Sequence, residues 1–335
     1  MMNGPARRPA APGAILAGLL VAAAVGVGRG DDVPGESTLR PVLEGFEPTE
    51  AAPHGAGNAY APAVLIEGDV ARMWYGAQGQ DGHDRIHLAE SRGGEAWERR
   101  GVVLDVGAAN HVNDPSVVKV GDTYYLYYTR ALGGVVDEIA LATSKDGRAW
   151  ETRGTVLRPG AAGEWDALLV GRPSVLHDGG TFRMWYDGRK DIPVGAPAPG
   201  VATSPTSTRG VGHATSPDGL TWTKHPGNPV LGDDIGGVDV GRLDAGGYVM
   251  VYESREGTRA ATSGDGVNWR ERGLLQARSG GDLDRHGHVT PMLLADDRGG
   301  WTLYCGAARG RSWDRNTIAR VHIPADRLAA GGGGR

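Results

Sequence analysis

Short apolar runs separated by turn residues recur along most of the chain. Five segments share one order of parts, in which an apolar run, usually after a proline, is followed by a Gly/Asp turn, an aromatic run and a third apolar run. Short runs bounded by turn residues predict β-strands rather than helices. The first runs lie at 62–65, 115–118, 173–176, 238–240 and 291–294, and the aromatic runs at 72–75, 124–128, 183–186, 248–252 and 301–304.

A turn of recurring sequence leads from the third strand of a segment to a fourth. Ser-x-Asp-Gly stands at 144–147, 216–219 and 263–266, each time followed by a tryptophan, and a degraded copy stands at 91–94. The aspartates invite a calcium-binding or catalytic interpretation. We favour a structural one, because Asp caps such turns, Gly adopts positive φ without strain, and the tryptophan can pack between neighbouring sheets.

Four short antiparallel strands repeated about every 50 residues are typical of β-propeller blades, which bury their faces by stacking on one another. The sequence therefore predicts an all-β protein, a five-bladed β-propeller with four antiparallel strands per blade, over residues 55–325. It leaves a lead-in segment at 31–54 and a flexible Gly-rich tail at 326–335.

The amino-terminal residues have the pattern of a targeting segment. Arg7 and Arg8 precede an uncharged apolar run at 14–27, the arrangement of a secretory signal peptide. The run is shorter than the roughly 20 apolar residues of a membrane-spanning helix. We expect residues 1–30 to be a signal peptide, the protein to be secreted or periplasmic, and no stable membrane insertion; a signal-anchor is the alternative.

Composition agrees with many tight turns and argues against one class of partner. Glycine accounts for 56 of the 335 residues, more than twice the usual share of about 7%. The 35 basic and 40 acidic side chains give a net charge of −5, whereas a nucleic-acid-binding protein needs a basic face. We therefore expect no nucleic-acid partner, and the sequence leaves the oligomeric state open.

The blade topology sorts polar residues onto one end of the propeller. The start of the first strand and the loop between strands two and three lie at the same end, opposite the Ser-x-Asp-Gly turns. Carboxylate, arginine and histidine side chains that converge at one channel mouth predict a functional site. This end collects His111, Asp114, Arg172, Asp239 and His288 from first strands, and Asp187 and Glu253 from the ends of second strands.

Structural alternatives remain for several of these residues. Asp187 and Asp239 are equally consistent with turn capping, and Glu253 with an ion pair to Arg255. A zinc site formed by His111, His286 and His288 has no standard ligand spacing. We therefore predict neither a metal nor a cofactor.

The motif Asn113-Asp114-Pro115-Ser116-Val117 at the start of an inner strand resembles the five-bladed β-propeller glycosidases. These comprise glycoside hydrolase families 43 and 32 and their relatives, including the mannoside phosphorylases. The resemblance implies that Asp114 is a nucleophile or base, and Gly287-His288 matches a Gly-His pair near the channel of family 43. The match is incomplete, because those families place a catalytic Asp in the first blade, where this chain has Tyr60-Ala61-Pro62, and the acid Glu has no clean counterpart.

The resulting hypothesis is an exported glycoside hydrolase that acts on plant or microbial oligo- or polysaccharides. Glycoside hydrolysis needs one ionised and one protonated carboxyl group. We assign Asp114 as nucleophile or base, Glu253 as acid, and Asp239 as a substitute acid or a neighbour that sets the pKa. The predicted substrate-binding residues are Arg172, Asp187, His288, His111 and Tyr60. A non-catalytic glycan-binding propeller is the first alternative and a glycoside phosphorylase the second.

Overall fold

In the residues that it describes, the computed structural model is built almost entirely of antiparallel β-sheet, with one helix, α1 (Ala325–Ala329). It describes residues 38–45, 57–79, 81–132, 137–193, 203–204, 208–296, 300–311 and 315–329. Among these residues no helix is long and apolar enough to cross a membrane. The predicted signal peptide lies outside the described residues. The all-β class and the four-stranded antiparallel sheets predicted from the sequence are confirmed.

Three sheets follow the predicted up-and-down order of four antiparallel strands. The first contains β2 (Ala59–Glu67), β3 (Val70–Gln78), β4 (Asp84–Arg92) and β5 (Glu98–Leu104). The second contains β6 (His111–Val120), β7 (Thr123–Ala131), β8 (Asp137–Ser144) and β9 (Glu151–Leu157). The third contains β10 (Leu169–Asp178), β11 (Thr181–Arg189), β14 (Gly210–Ser216) and β15 (Thr223–Lys224); the pair β12 (Ile192–Pro193) and β13 (Thr203–Ser204) lies between β11 and β14.

The other eight strands form one sheet of two four-stranded halves. One half contains β16 (Asp239–Arg242), β17 (Tyr248–Ser254), β18 (Gly257–Ser263) and β19 (Trp269–Ala277). The other contains β20 (His288–Ala295), β21 (Trp301–Ala308), β22 (Asn316–Ile323) and β1 (Arg40–Leu43). In the described residues the backbone ladder between the halves consists of one residue pair, Ser254 and His288.

Strand β1 precedes the predicted propeller segment in the sequence. It lies within the segment assigned as a lead-in, yet it pairs with β22 as the outer strand of the sheet, with Pro41 opposite Ala319. Leu43 is buried in the core beside Ile318. The predicted tail also begins inside α1, where Leu328 is buried. The two ends of the described chain are therefore part of the packed structure, because each supplies a leucine to the core.

The Ser-x-Asp-Gly turns connect neighbouring sheets, as their structural interpretation predicts. The Ser144 hydroxyl accepts a hydrogen bond from Gly147 N at 2.9 Å, and Asp146 accepts one from Ala149 N at 2.9 Å. Gly147 has φ 72°, and its carbonyl accepts the indole N–H of Trp74, on β3 of the neighbouring sheet, at 2.9 Å. Trp185 makes the same bond to Gly266 at 2.7 Å. Both tryptophans are fully buried, so they belong to the core between the sheets.

Candidate active site

One strand from each four-stranded unit lines a central cavity of about 290 Å³. The lining segments come from β2, β6, β10, β16 and β20, together with the residues just before β16. Four of these strands contain a register shift at a residue that precedes a proline. The residues at the shifts are Ala61, Asp114, Arg172 and Thr290, with φ between 41° and 49°, and Gly237 holds the corresponding place before β16 with φ 59°.

Positive φ is uncommon for residues other than glycine and is retained where the surrounding structure enforces it. Here the register shift accompanies it at all four positions, and the same φ recurs with four different side chains, although a following proline by itself favours negative φ. The recurrence gives Asp114 on β6 and Arg172 on β10 equivalent backbone positions in adjacent sheets.

Asp114 is a buried carboxyl group with one engaged oxygen. Its Oδ2 accepts a hydrogen bond from the Thr129 hydroxyl at 3.1 Å and lies 3.9 Å from Nε of Arg172. Its Oδ1 has no hydrogen-bond partner among the described residues. Burial raises the pKa of Asp114 to about 6, against the opposing charge of Arg172. A buried carboxyl group with one uncommitted oxygen and a pKa near neutrality is suited to proton transfer.

A second group of charges surrounds the buried guanidinium of Arg209. Arg209 Nη1 lies 2.6 Å from Oε1 of Glu253, and Arg209 Nε donates to Oδ2 of Asp187 at 3.0 Å. Backbone N–H groups hold the remaining oxygens, with Gly237 N donating to Asp187 Oδ1 at 2.9 Å and Thr290 N to Glu253 Oε2 at 3.1 Å. Both carboxylates are therefore fixed in orientation.

The position of Glu253 leaves no room for a side chain at Gly237. A Cβ atom there would lie 2.3 Å from Oε2 of Glu253. Burial alone would raise the pKa of Glu253, but the charges of Arg209 and Arg172 outweigh it and lower that pKa. The lowered pKa favours the ionised form of Glu253, whereas the general-acid role predicted from the sequence needs the protonated form.

Arg172 joins the two groups. Its Nη1 donates to Asp187 Oδ2 at 3.3 Å while its Nε faces Asp114. Four residues selected from the sequence thus form one cluster, which we call the mouth cluster: Asp114, Arg172, Asp187 and Glu253, with Arg209 as a fifth member.

Asp239 lies apart from the contacts of this cluster. Its Oδ1 accepts the Ser174 hydroxyl at 2.9 Å and its Oδ2 accepts Leu293 N at 3.0 Å. These bonds join β16 to β10 and to β20, two other strands that line the central cavity. Burial raises the pKa of Asp239 to about 6.

Replacing Asp239 with Asn is expected to change how stability depends on pH. A carboxyl group with a pKa near 3.8 when unfolded and about 6 when folded stabilises the fold at low pH, and this contribution disappears as the pH rises through about 6. Asparagine does not titrate, so from pH 5 to pH 8 the melting temperature of the wild type should fall by several degrees relative to Asp239→Asn. Thermal unfolding of both proteins at the two pH values measures this. A difference that stays constant with pH would contradict it.

His288, predicted to bind sugar, has its hydrogen-bond partners outside the mouth cluster. The side chain is fully buried. Its Nδ1 lies 2.9 Å from the Thr258 hydroxyl and its Nε2 lies 3.2 Å from Oδ2 of Asp284. Because both ring nitrogens are engaged inside the protein, His288 serves the packing of β20 against β18.

Tyr60 and His111 belong to a polar group around Asp84 that borders the mouth cluster, since burial and the charges of Asp84 and Asp114 raise the pKa of Tyr60. The Tyr60 hydroxyl donates to Asp84 Oδ2 at 2.9 Å and accepts from Asn113 Nδ2 at 2.9 Å. His111 Nδ1 accepts Asp84 N at 2.9 Å. Burial raises the pKa of Asp84 to about 6. Tyr60 is buried, so its ring packs in the protein and not on an exposed sugar-binding face.

Several charged residues near the mouth cluster were not selected from the sequence. Asp84 and Asp137 begin the third strands β4 and β8, so extending the topological argument to third strands would have found them. Burial raises the pKa of Asp137 to about 7. Burial and the neighbouring charges of Arg209 and Arg172 lower the pKa of Arg189 to about 10. In the described part of the chain, no three His, Cys, Asp or Glu residues are arranged to hold a metal ion.

No protein-family model matches this chain. Over 288 residues the chain is 28% identical to the uncharacterized protein Rv1502 of Mycobacterium tuberculosis, covering 74% of this chain and 87% of that protein.

Similar solved structures share the fold at low sequence identity. BT0996, in a complex with RGII, has a TM-score of 0.65 and 21% identity, over 86% of this protein and 92% of that one. Zg3597, a family 117 glycoside hydrolase from Zobellia galactanivorans, has a TM-score of 0.65 and 18% identity. The alignment covers 87% of this chain and 92% of Zg3597. A third structure belongs to the GH130 family, described as mannoside phosphorylases that include hydrolases of β-1,2-mannosidic linkages. It has a TM-score of 0.61 and 14% identity, and the alignment covers 87% of this chain and 96% of that one. At these identities the likeness establishes the fold, that of the glycoside hydrolases with which the chain aligns.

Proposed function

We propose that this protein is a glycoside hydrolase that cleaves an oligo- or polysaccharide at the mouth of a five-bladed β-propeller. The observation that supports this most directly is the pair of buried carboxyl groups on either side of Arg172. The pKa of Asp114 is raised to about 6, whereas the pKa of Glu253 is lowered. Glycoside hydrolysis requires one protonated and one ionised carboxyl group, and therefore two carboxyl groups with different pKa values.

The five-blade count treats the eight-stranded sheet as two blades. In the described residues its halves share one backbone ladder pair, Ser254 with His288, and five inner segments line the cavity. The outer strand of the fifth blade is then β1. Membership of family 43 or 32 is a narrower part of the proposal and rests on the Asp114 motif. The proposal also includes export of the protein, directed by residues 1–30.

The raised pKa of Asp114 and the lowered pKa of Glu253 favour roles different from those assigned from the sequence. Glu253 is ionised and has both oxygens engaged, so we assign it to stabilising the positive charge that develops on the sugar ring. Asp114 keeps an oxygen uncommitted and, with a pKa about 6, can donate a proton below that pH and accept one above it. We therefore assign it as the general acid–base group. The similar structures, among them a family 117 glycoside hydrolase and the RGII complex, agree with a carbohydrate substrate.

Phosphorolysis is a second candidate with its own support. Three guanidinium groups lie close together. Burial and the charges of Arg209 and Arg172 lower the pKa of Arg189, and the charge of Arg172 also acts on Arg209. Arg189 is buried, and its Nη1 has no hydrogen-bond partner among the described residues. Guanidinium groups bind phosphate well, and one similar structure belongs to a family that includes phosphorylases.

The test is a turnover screen that separates the candidates. Purified protein is incubated with aryl arabinofuranosides, xylosides, galactosides and mannosides, and with fructans, each with and without inorganic phosphate. Release of free sugar without phosphate supports the hydrolase. A sugar phosphate formed only when phosphate is present indicates the phosphorylase. Glycan binding with no turnover under either condition would overturn both and indicate a binding module.

A further inference from the structure

A group of basic residues lies at the same end of the protein as the mouth cluster. We call it the arginine rim. It contains Arg255 from the turn after β17, Arg278, Arg285 and His286 from the connection between β19 and β20, and Arg309 and Arg311 after β21. Arg278, Arg285, Arg309 and Arg311 are exposed. The rim is distinctive because the chain as a whole has a net charge of −5.

Hydrogen bonds assemble the rim from three chain segments. Arg255 Nη1 donates to the carbonyl of Arg311 at 2.9 Å, and Arg278 Nη1 donates to the carbonyl of Arg285. His286 N donates to the carbonyl of Ala308 at 2.9 Å, beside Arg309. Because carbonyl oxygens are uncharged, these contacts orient the guanidinium groups without cancelling their charge.

The charges around His286 confirm that the arginines are close together. Partial burial and four nearby guanidinium groups lower the pKa of the His286 ring. The four belong to Arg311, Arg255, Arg285 and Arg278.

Carboxylates offset only part of the positive charge of the rim. Asp282 hydrogen-bonds Arg285, and Glu44 Oε1 lies 3.9 Å from Arg309 Nη2. The charge of Glu253 also acts on Arg255. Among the described residues these carboxylates are still fewer than the five guanidinium groups, which leaves an excess of positive charge on this side of the mouth. Such an excess attracts an anionic ligand and speeds its association.

The rim is continuous with the mouth cluster. Arg255 follows Glu253 by two residues, and Gly287 packs so closely on the Ser254 carbonyl that a Cβ atom there would lie 2.2 Å from its oxygen. Thr290, four residues after His286, donates its N–H to Glu253. A chain of sugars bound at Asp114 and extending over this side would therefore meet the arginines.

We infer that the arginine rim binds carboxylate or sulfate groups of an acidic glycan, and that the substrate of the mouth cluster is such a glycan. This inference rests on the proposed function for the second part only, since binding at the rim does not require turnover. Guanidinium groups pair with carboxylate and sulfate oxygens through paired N–H donors. A neutral polysaccharide offers no such partner.

The experiment measures glycan binding by titration calorimetry at low ionic strength. The probes are an oligogalacturonate and its methyl ester, which share a backbone and differ in charge, and dextran sulfate and dextran, which separate sulfate from carboxylate. The rim variant is Arg278→Gln, Arg285→Gln, Arg311→Gln. The matched control is Arg92→Gln, Arg153→Gln, Arg270→Gln, which removes the same charge from exposed positions at or near the opposite end of the propeller.

We expect wild type and control to bind one acidic probe at least about tenfold more tightly than its neutral partner. The rim variant should bind that acidic probe about tenfold more weakly than the wild type, because it loses three exposed charge contacts. Added salt should weaken the binding. Equal affinity for acidic and neutral probes, or an unaffected rim variant, would overturn the inference. Equal binding of single-stranded DNA would indicate a general polyanion surface and would also overturn it.

The calorimetry and the turnover screen together separate this inference from the proposed function. Rim-dependent binding of an acidic glycan without turnover of any glycan would leave the rim assignment intact and remove the hydrolase. Hydrolysis of a neutral glycan that does not depend on the rim would do the reverse.

Discussion

Replacing Asp114 with Asn is expected to lower turnover of the substrate found in the screen by about 10²- to 10⁴-fold, the usual contribution of a general acid–base group. Asparagine keeps the shape of the side chain and can still accept the Thr129 hydroxyl bond, but it cannot exchange a proton. The fold should survive, because burial already disfavours the charged form of Asp114. The measurements are kcat, KM and thermal unfolding.

Asp122→Asn is the matched control, since Asp122 is exposed in the turn between β6 and β7 of the same sheet. It should retain wild-type kcat. The pH profile of wild-type kcat/KM should show an ionisation near pH 6, from the raised pKa of Asp114. Near-normal turnover by Asp114→Asn would remove Asp114 from the chemistry.

Removing β1 is the second change with a large expected effect. A chain that begins at residue 47 lacks the strand that pairs with β22, and it lacks Leu39 and Leu43, which are 6% and 3% exposed. Burying a leucine side chain contributes roughly 1.5–3 kcal/mol, and β22 would also lose its backbone partners. In a domain of this size about 4 kcal/mol corresponds to a fall in melting temperature of roughly 10 °C or more.

Circular dichroism during heating tests this, with a chain that begins at residue 38 as the control, because it retains β1. The point variant Leu43→Ala should fall between the two. Equal melting temperatures for the chains that begin at 38 and at 47 would show that β1 is dispensable.

The repeated parts of the fold were predictable because each is encoded locally. The turn around Asp146 and Gly147 and the aromatic run that contains Trp74 recur with fixed spacing, so one copy supports the interpretation of the others. Strand β1 is a single four-residue strand whose partner lies near the other end of the chain. No repeat marks it, and its pairing is a tertiary event that local sequence does not report.

The site was predictable as far as topology determines it. Knowing which strand ends share a face was enough to group Asp114, Arg172, Asp187 and Glu253. It did not distinguish His288, because a histidine buried between Thr258 and Asp284 and a histidine facing a ligand have the same sequence context. Protonation was also beyond the sequence, since the lowered pKa of Glu253 depends on Arg209, which is 44 residues away along the chain.

The five equivalent inner positions suggest how such a protein could acquire a new activity. Ala61, Asp114, Arg172, Gly237 and Thr290 share one backbone geometry, yet they differ in size, charge and hydrogen-bonding capacity. At the four positions other than Gly237 the same φ is kept with four different side chains, so the side chain there is comparatively free to change. At Gly237 the contact with Glu253 leaves no room for one. The scaffold thus separates the evolution of chemistry from the maintenance of folding, and the alanine at position 61 leaves one place in the ring where a functional group could be gained.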